Sequence, residues 1–150
     1  MRDNEQMPKE ISLKSIDDLA EFARSLSTDL AAGDVVELVG DVGAGKTTLV
    51  RYLAKNLGFN GAVSSPTFVI ENVYVGKIPI RHLDLYRLSD AGIVAHEIKE
   101  ALDDKDSLLI IEWAGLAEDL LPKKRLKLEI ISTGENSRKV IRDDTRDQNR

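Results

Sequence analysis

The sequence predicts an α/β fold: a mostly parallel central sheet flanked by helices, with an antiparallel hairpin portion. Three observations carry this. Short apolar runs alternate along the chain with segments of helical periodicity. Leu108-Leu109-Ile110-Ile111 is the most apolar of those runs, as expected of a strand buried on both faces of a parallel sheet. Between a strand-like and a helix-like segment lies Gly40-Asp41-Val42-Gly43-Ala44-Gly45-Lys46-Thr47, which matches G-x-x-x-x-G-K-[ST]. Strand, glycine-rich loop and helix, in that order, specify the P-loop NTPase variety of α/β fold.

The elements follow in order. Residues Met1 to Pro8 are polar and expected to be loose, and Glu10 to Leu13 read as a short strand. Ser15-Ile16-Asp17-Asp18 resembles a capping box. The helix after it is expected to run to about Ala32, with Leu19, Phe22, Ala23, Leu26 and Leu30 on one face. Val35 to Val39 is rich in β-branched residues and forms the strand entering the glycine loop. Leu49, Val50, Leu53 and Leu57 then keep helical spacing until Gly58. Phe68 to Tyr74 and Ile78 to Leu85 read as a hairpin turning near Val75-Gly76-Lys77, with Pro79 suited to an edge. Ser89 to Leu102 reads as a helix with a break near Gly92, and Leu126 to Ile131 and Arg138 to Ile141 as late strands. Residues 1–142 thus form one expected domain. Residues 143–150 contain no apolar side chain and are expected to be a disordered tail.

Bulk composition narrows the function. The 150 residues suit a single domain, and 42% apolar with 31% charged residues is ordinary for a globular protein. There is no cysteine, so disulfides and thiolate metal sites are excluded. No apolar run approaches the roughly 20 residues that span a bilayer. The polar N-terminus is no secretory signal, and a cytoplasmic location with no membrane partner is expected. A net charge of −5 argues against tight binding of nucleic acid by the chain alone. Lys123-Lys124-Arg125 and Lys127 form a small basic cluster, expected to be a solvated loop leading into a strand.

The chemistry starts at the loop. Gly40, Asp41, Gly43, Ala44 and Gly45 let backbone N–H groups converge on phosphates at a helix N-terminus. Lys46 brings a compact charge to the β- and γ-phosphates, and the Thr47 hydroxyl is a hard oxygen ligand for Mg²⁺. Thr48 could reach an α-phosphate or be an ordinary first-turn residue. Glu112 ends the most apolar strand, the position of a second metal-side acid. A carboxylate there is costly without a cation or donors, unless the strand end is simply solvated. In Arg81-His82-Leu83-Asp84-Leu85-Tyr86-Arg87-Leu88, alternation puts His82, Asp84 and Tyr86 on one face. Asp84 either orients water and metal ligands or pairs with Arg87 or His82. Trp113, the single tryptophan, is a lid or a packing residue, and spacing favours packing. Ser64-Ser65-Pro66-Thr67 is either a γ-phosphate-sensing loop or a plain turn.

Taken together, these segments resemble the TsaE (YjeE) family of bacterial P-loop ATPases. The resemblance rests on Gly40 to Thr48, Ser65-Pro66-Thr67, His82-Leu83-Asp84-Leu85-Tyr86-Arg87-Leu88 and Ile111-Glu112-Trp113, and spans about Ile11 to Ile131. It implies an ATP hydrolase, with ATP and Mg²⁺, that supports formation of threonylcarbamoyladenosine beside the tRNA anticodon. It implies TsaB and TsaD as partners, and tRNA met through that complex. It also implies roles: Lys46 and Thr47 at phosphate and Mg²⁺, Glu112 as metal-side and catalytic acid, Asp84 and Trp113 in segments needed for activity, and Ser65 to Thr67 as a switch. The segment Ser89 to Ile98 fits the family pattern loosely.

Two rival functions are compatible with a phosphate loop. A small-molecule kinase needs an arginine-bearing lid after the second acidic strand, and Ala114 to Lys127 is too short for one. A nucleotide-gated binding module needs no catalytic acid. No Asn-Lys-x-Asp segment is present to read guanine. Ser12 and Ser15 are candidate neighbours of the adenine. Arg81 and Arg87 are the candidates for an arginine finger, and without one the isolated chain is expected to hydrolyse ATP slowly.

Overall fold

The computed structural model describes residues 7–41, 43–63, 70–86, 88–113 and 115–147, those at 116 and 117 by backbone only. Seven strands form one sheet: β1 (Lys9–Leu13), β2 (Val35–Val39), β3 (Glu71–Val75), β4 (Pro79–Asp84), β5 (Leu108–Glu112), β6 (Leu126–Ser132) and β7 (Arg138–Asp144). Among the described residues three α-helices accompany them, α1 (Ile16–Asp29), α2 (Lys46–Asn56) and α3 (Ala91–Asp103), with a short 3-10 helix at Gly115–Leu120. Spatial order is β1-β7-β6-β2-β5-β4-β3. The central strands β6, β2, β5 and β4 are parallel, while β7 and β3 run antiparallel to their neighbours at either side.

All five residues of β5 are buried, as its unbroken apolar run requires. Its side chains alternate between two cores. Leu108 and Ile110 join the larger one, with Leu19, Ala23 and Leu26 of α1 and Leu49, Val50 and Leu53 of α2. Leu109 and Ile111 join the other, with Val94, Ile98 and Ala101 of α3. The fully buried leucines and isoleucines each stabilise the fold by about 1.5–3 kcal/mol relative to exposure.

Local signals hold at helix ends. Ser15 Oγ accepts from Asp18 N–H (3.1 Å), and Asp18 Oδ2 accepts from Lys14 N–H (2.9 Å). That is a capping box reaching back one residue further than usual. Helix α2 closes in a Schellman pattern: Phe59 N–H donates to Ala54 O and Gly58 N–H to Lys55 O.

Several expectations need correction. Helix α1 stops at Asp29 because Leu30 is extended (ψ 142°) and the Asp34 carboxylate takes Ala31 N–H. Helix α3 is unbroken at Gly92, which sits in its first turn behind the Asp90 cap. Pro79 is not on an edge: β4 lies between β5 and β3, and the proline is tolerated as the strand's first residue. Of the strand expected over Phe68 to Tyr74, residues 68 and 69 lie outside those described.

The tail expectation also changes for residues 143–147. Strand β7 includes Asp143 and Asp144, and Arg146 is 7% exposed. Its guanidinium donates to Asp34 (3.0 Å), Asp144 (2.9 Å) and Asp29. Burial alone would raise the Asp144 pKa, but the Arg146 hydrogen bonds and charge outweigh it and bring it to about 2. A segment without apolar residues is held by charge compensation, which composition does not show. Arg125 is likewise not solvated. Its Nε donates to Glu37 Oε1 at 2.9 Å, neutralising a carboxylate that is 4% exposed inside β2.

Candidate functional site

The parallel strands β2, β5 and β4 end on the same side of the sheet, where α/β folds bind ligands. The glycine loop leaves β2 and feeds directly into α2. Gly40, Gly43 and Gly45 all take positive φ. Gly40 has φ +155°, and a Cβ there would lie 2.6 Å from the carbonyl oxygen of Ile130 on the adjoining strand. Gly45 occupies the α2 N-cap at φ +112°, with no side-chain cap on the first turn. Unshared backbone N–H groups at a helix start form an anion cradle.

Lys46 is 6% exposed and held on three sides. Its Nζ donates to Gly40 O at 2.6 Å, stands 3.6 Å from Glu112 Oε1, and lies 4.1 Å from the ring centroid of Trp113. A buried ammonium needs such partners, and each also fixes a site residue around it.

Glu112 is 2% exposed, so the solvated-strand-end reading is excluded. Its Oε2 lies 2.6 Å from His82 Nε2, and His82 Nδ1 lies 3.3 Å from the Tyr74 hydroxyl. With Glu112 ionised, Nε2 carries the hydrogen and Nδ1 accepts from Tyr74. A relay Tyr74–His82–Glu112–Lys46 thus runs from β3 through β4 and β5 to α2. Asp84 stands in register opposite Glu112 on the neighbouring strand. Burial raises the Asp84 pKa, opposed by a hydrogen bond from Tyr86 N–H (3.0 Å), and the negative charge of Glu112 raises it further. Asp84 is therefore not the hydrogen-bonded partner of His82. Arg87, its other expected partner, lies outside the described residues.

Trp113 is half-buried rather than core packing. It is the one non-glycine residue with positive φ (58°) among those described, a strained conformation for an aromatic residue. The turn lays its ring over Lys46 and against Tyr86, with ring centroids 4.8 Å apart. Tyr86 is itself 55% exposed, so the aromatic pair reaches the surface beside the loop.

A cavity of about 770 Å³ opens here, lined by Gly40, Asp41, Gly43, Ala44, Lys46 and Trp113, with Ile130 and Ser132 of β6 on its wall. That volume is in the range of small-ligand pockets. Ser12 and Ser15 are not on the wall: Ser12 pairs with Lys139 at the sheet edge and Ser15 caps α1. Thr47 and Thr48 sit half-buried in the first turn of α2. The loop Ser64 to Thr67 lies outside the described residues. Arg81 is committed elsewhere: its guanidinium donates to Glu71 at 2.8 and 3.2 Å, and lies near Glu100 and Asp104. Those partners raise its pKa and hold it away as an arginine finger.

His82 and Tyr74 received no role toward Glu112 from the sequence. The alternation His-x-Asp was the available signal, since it set His82 on the face of Asp84. Arg138 was not singled out at all. Its Nε donates to Ala44 O at 2.6 Å, a contact across 94 residues that no local pattern announces.

A glycine loop between a parallel strand and a helix, with a lysine paired to a buried acid from the next strand, defines a nucleotide-binding P-loop protein. The family model described as "Threonylcarbamoyl adenosine biosynthesis protein TsaE" matches residues 13–140. A Streptomyces coelicolor "tRNA threonylcarbamoyladenosine biosynthesis protein TsaE" is 41% identical over 115 residues, covering 75% of this chain and 78% of its own. The protein so named from Borreliella burgdorferi is 38% identical over 120 residues, 77% of this chain and 85% of its own. In three dimensions the fold is similar to the crystal structure of YdiB from Bacillus (TM-score 0.74, 28% identity), covering 94% of this chain and 89% of that one. The chain belongs to the TsaE family.

Proposed function

We propose that this chain binds ATP with Mg²⁺ and hydrolyses it slowly, supporting threonylcarbamoyladenosine formation on tRNA together with TsaB and TsaD. The observation that carries the proposal is the buried Lys46–Glu112 pair at the head of α2, with Asp84 in register beside it. Two carboxylates and a threonine hydroxyl offer only oxygen donors, which fits Mg²⁺ completed by nucleotide phosphates and water. Among the described residues no group of three or more His, Cys, Asp or Glu forms a self-sufficient metal site, consistent with a metal held partly by its nucleotide. Thr47, Glu112 and Asp84 would hold the ion, and its charge would offset the developing charge on the phosphates.

The remaining work falls to the chain itself. Backbone N–H groups of Gly43 to Thr47 bind the phosphate oxygens, and Lys46 exchanges Gly40 O and Glu112 for phosphate. Glu112, once released, is oriented by His82. Asp84 accepts from Tyr86 N–H at Oδ1 and keeps Oδ2 for the ion or the hydrogen of a water bound to it. Trp113 covers Lys46 and excludes bulk water from it. Arg81 is turned onto Glu71 and away from the loop, which supports slow turnover of the chain alone and stimulation by partners. The net charge of −5 is consistent with tRNA being met through the complex. Among the described residues no helix is long and apolar enough to cross a membrane. A cytoplasmic location accords with that chemistry.

The test is reconstitution with TsaB, TsaD, tRNA and threonylcarbamoyl-AMP, comparing wild type with Lys46→Ala and Glu112→Ala. Repeated rounds of modification should require both side chains. A Lys46→Ala chain that sustains them overturns the proposal, and a Glu112→Ala chain that does so makes the protein a nucleotide-gated module without catalysis.

A further inference from the structure

We infer that Arg138 is a positioning residue for nucleotide binding: it sets the Gly45 amide of the phosphate loop from the outside. The inference rests on reading Gly40 to Thr47 as a nucleotide cradle. Arg138 is the first residue of β7, paired with Ser132 on β6 and Leu13 on β1. Its Nε donates to the carbonyl oxygen of Ala44 at 2.6 Å. Across a trans peptide the C=O and the following N–H point in opposite directions. Holding the Ala44 carbonyl outward therefore turns the Gly45 N–H inward, toward the space a phosphate takes. An anion cradle works only if successive N–H groups converge, so fixing one peptide plane beforehand lowers the ordering cost of binding.

Two further contacts make this a brace rather than a chance touch. The other end of the guanidinium is locked: Nη1 donates to Ser137 O (2.8 Å) and Gly134 O (3.1 Å), carbonyls of the turn joining β6 to β7. That turn is closed by Thr133 N–H to Ser137 O at 3.1 Å. The loop is thereby tied to the rigid sheet, not to a mobile side chain. Gly45 is also matched to the arginine, since a Cβ there would lie 3.3 Å from Arg138 Nε. The glycine at the left-handed position and the arginine occupy one another's space. Arg138 stands on the β6–β7 side of the loop, whereas Glu112 and Asp84 come from β5 and β4 on the other. The two sets hold the cradle from opposite sides.

Affinity separates this role from a purely structural one. Fluorescent mant-ADP with Mg²⁺ is titrated into wild type, Lys46→Ala, Arg138→Ala and Arg138→Gln, well below each protein's melting temperature. Glutamine carries its amide nitrogen at the same distance along the side chain as Arg Nε. It keeps the donor to Ala44 O and lacks the Nη1 bonds to the turn. Arg138→Ala should weaken binding about tenfold, the worth of one charge-assisted bond at about 1.4 kcal/mol per decade. Arg138→Gln should recover to within about threefold of wild type. Equal affinities for the alanine and glutamine variants overturn the brace, because the turn or the bare charge then explains the loss. Wild-type affinity in Arg138→Ala, with binding abolished in Lys46→Ala, also overturns it while leaving the cradle intact. Unchanged binding in Lys46→Ala removes the cradle itself and the inference with it.

Discussion

Replacing His82 by leucine tests whether the buried relay holds Glu112. His82 is fully buried, and its Nε2 contact to Glu112 Oε2 is 2.6 Å, short enough for a charge-assisted bond. Leucine fills a similar volume, so the transfer and cavity terms stay small. What is lost is a donor to a carboxylate that is 2% exposed. Lys46, at 3.6 Å from the other oxygen, still offsets part of the charge. Leaving a buried charged acceptor without its donor costs about 2–3 kcal/mol. At about 2–4 °C per kcal/mol for a chain of this length, the nucleotide-free melting temperature should fall by about 4–12 °C. Tyr74→Phe removes only the outer hydroxyl and should cost about 1 kcal/mol. Because the Tyr74 hydroxyl meets His82 Nδ1 and the two act in one chain of hydrogen bonds, the double variant should be less destabilised than the sum, by about 0.5 kcal/mol or more. Calorimetry on the four proteins gives the cycle. Binding adds a second readout: the Mg²⁺-dependent part of ATP affinity should shrink in His82→Leu, while affinity in excess EDTA stays near wild type. A His82→Leu melting curve superimposed on wild type would refute the reasoning, since Glu112 would then not depend on the relay.

Two other outcomes follow from the geometry. Gly40→Ala should lower stability by about 2–3 kcal/mol and weaken nucleotide binding together, because a Cβ meets Ile130 O at 2.6 Å and displaces the carbonyl that Lys46 uses; a chemical-denaturation midpoint equal to wild type counts against it. Asp144, with its pKa lowered to about 2, contributes stability that is present above the ordinary carboxylate value and lost as pH falls through about 2. The melting temperature of Asp144→Asn should therefore lie below wild type at pH 6 and converge with it as pH falls from 4 toward 2; a gap that stays constant over that range removes the Arg146 network as its cause.

What the sequence determined by itself is whatever is local. The phosphate loop, the strand before it and the helix after it were legible because G-x-x-x-x-G-K-T encodes backbone shape within eight positions. The unbroken apolar run of β5 announced burial on both faces, and with it the cost that made Glu112 a site residue. The family followed from motifs of the same short range. What only the tertiary structure decided are the partnerships across distance. His82 meets Glu112 over 30 residues, Arg125 meets Glu37 over 88, and Arg138 meets Ala44 over 94. Trp113 looked like core filling because spacing carries no φ angle, whereas the fold turns it onto Lys46 at φ 58°. Arg146 looked like part of a loose tail because compensation of a buried charge depends on which carboxylates the sheet brings near, here Asp29, Asp34 and Asp144. Periodicity reports where apolar surface is buried; strand register decides which charges are buried beside each other, and here it sets Asp84 opposite Glu112, where the glycine loop delivers Lys46.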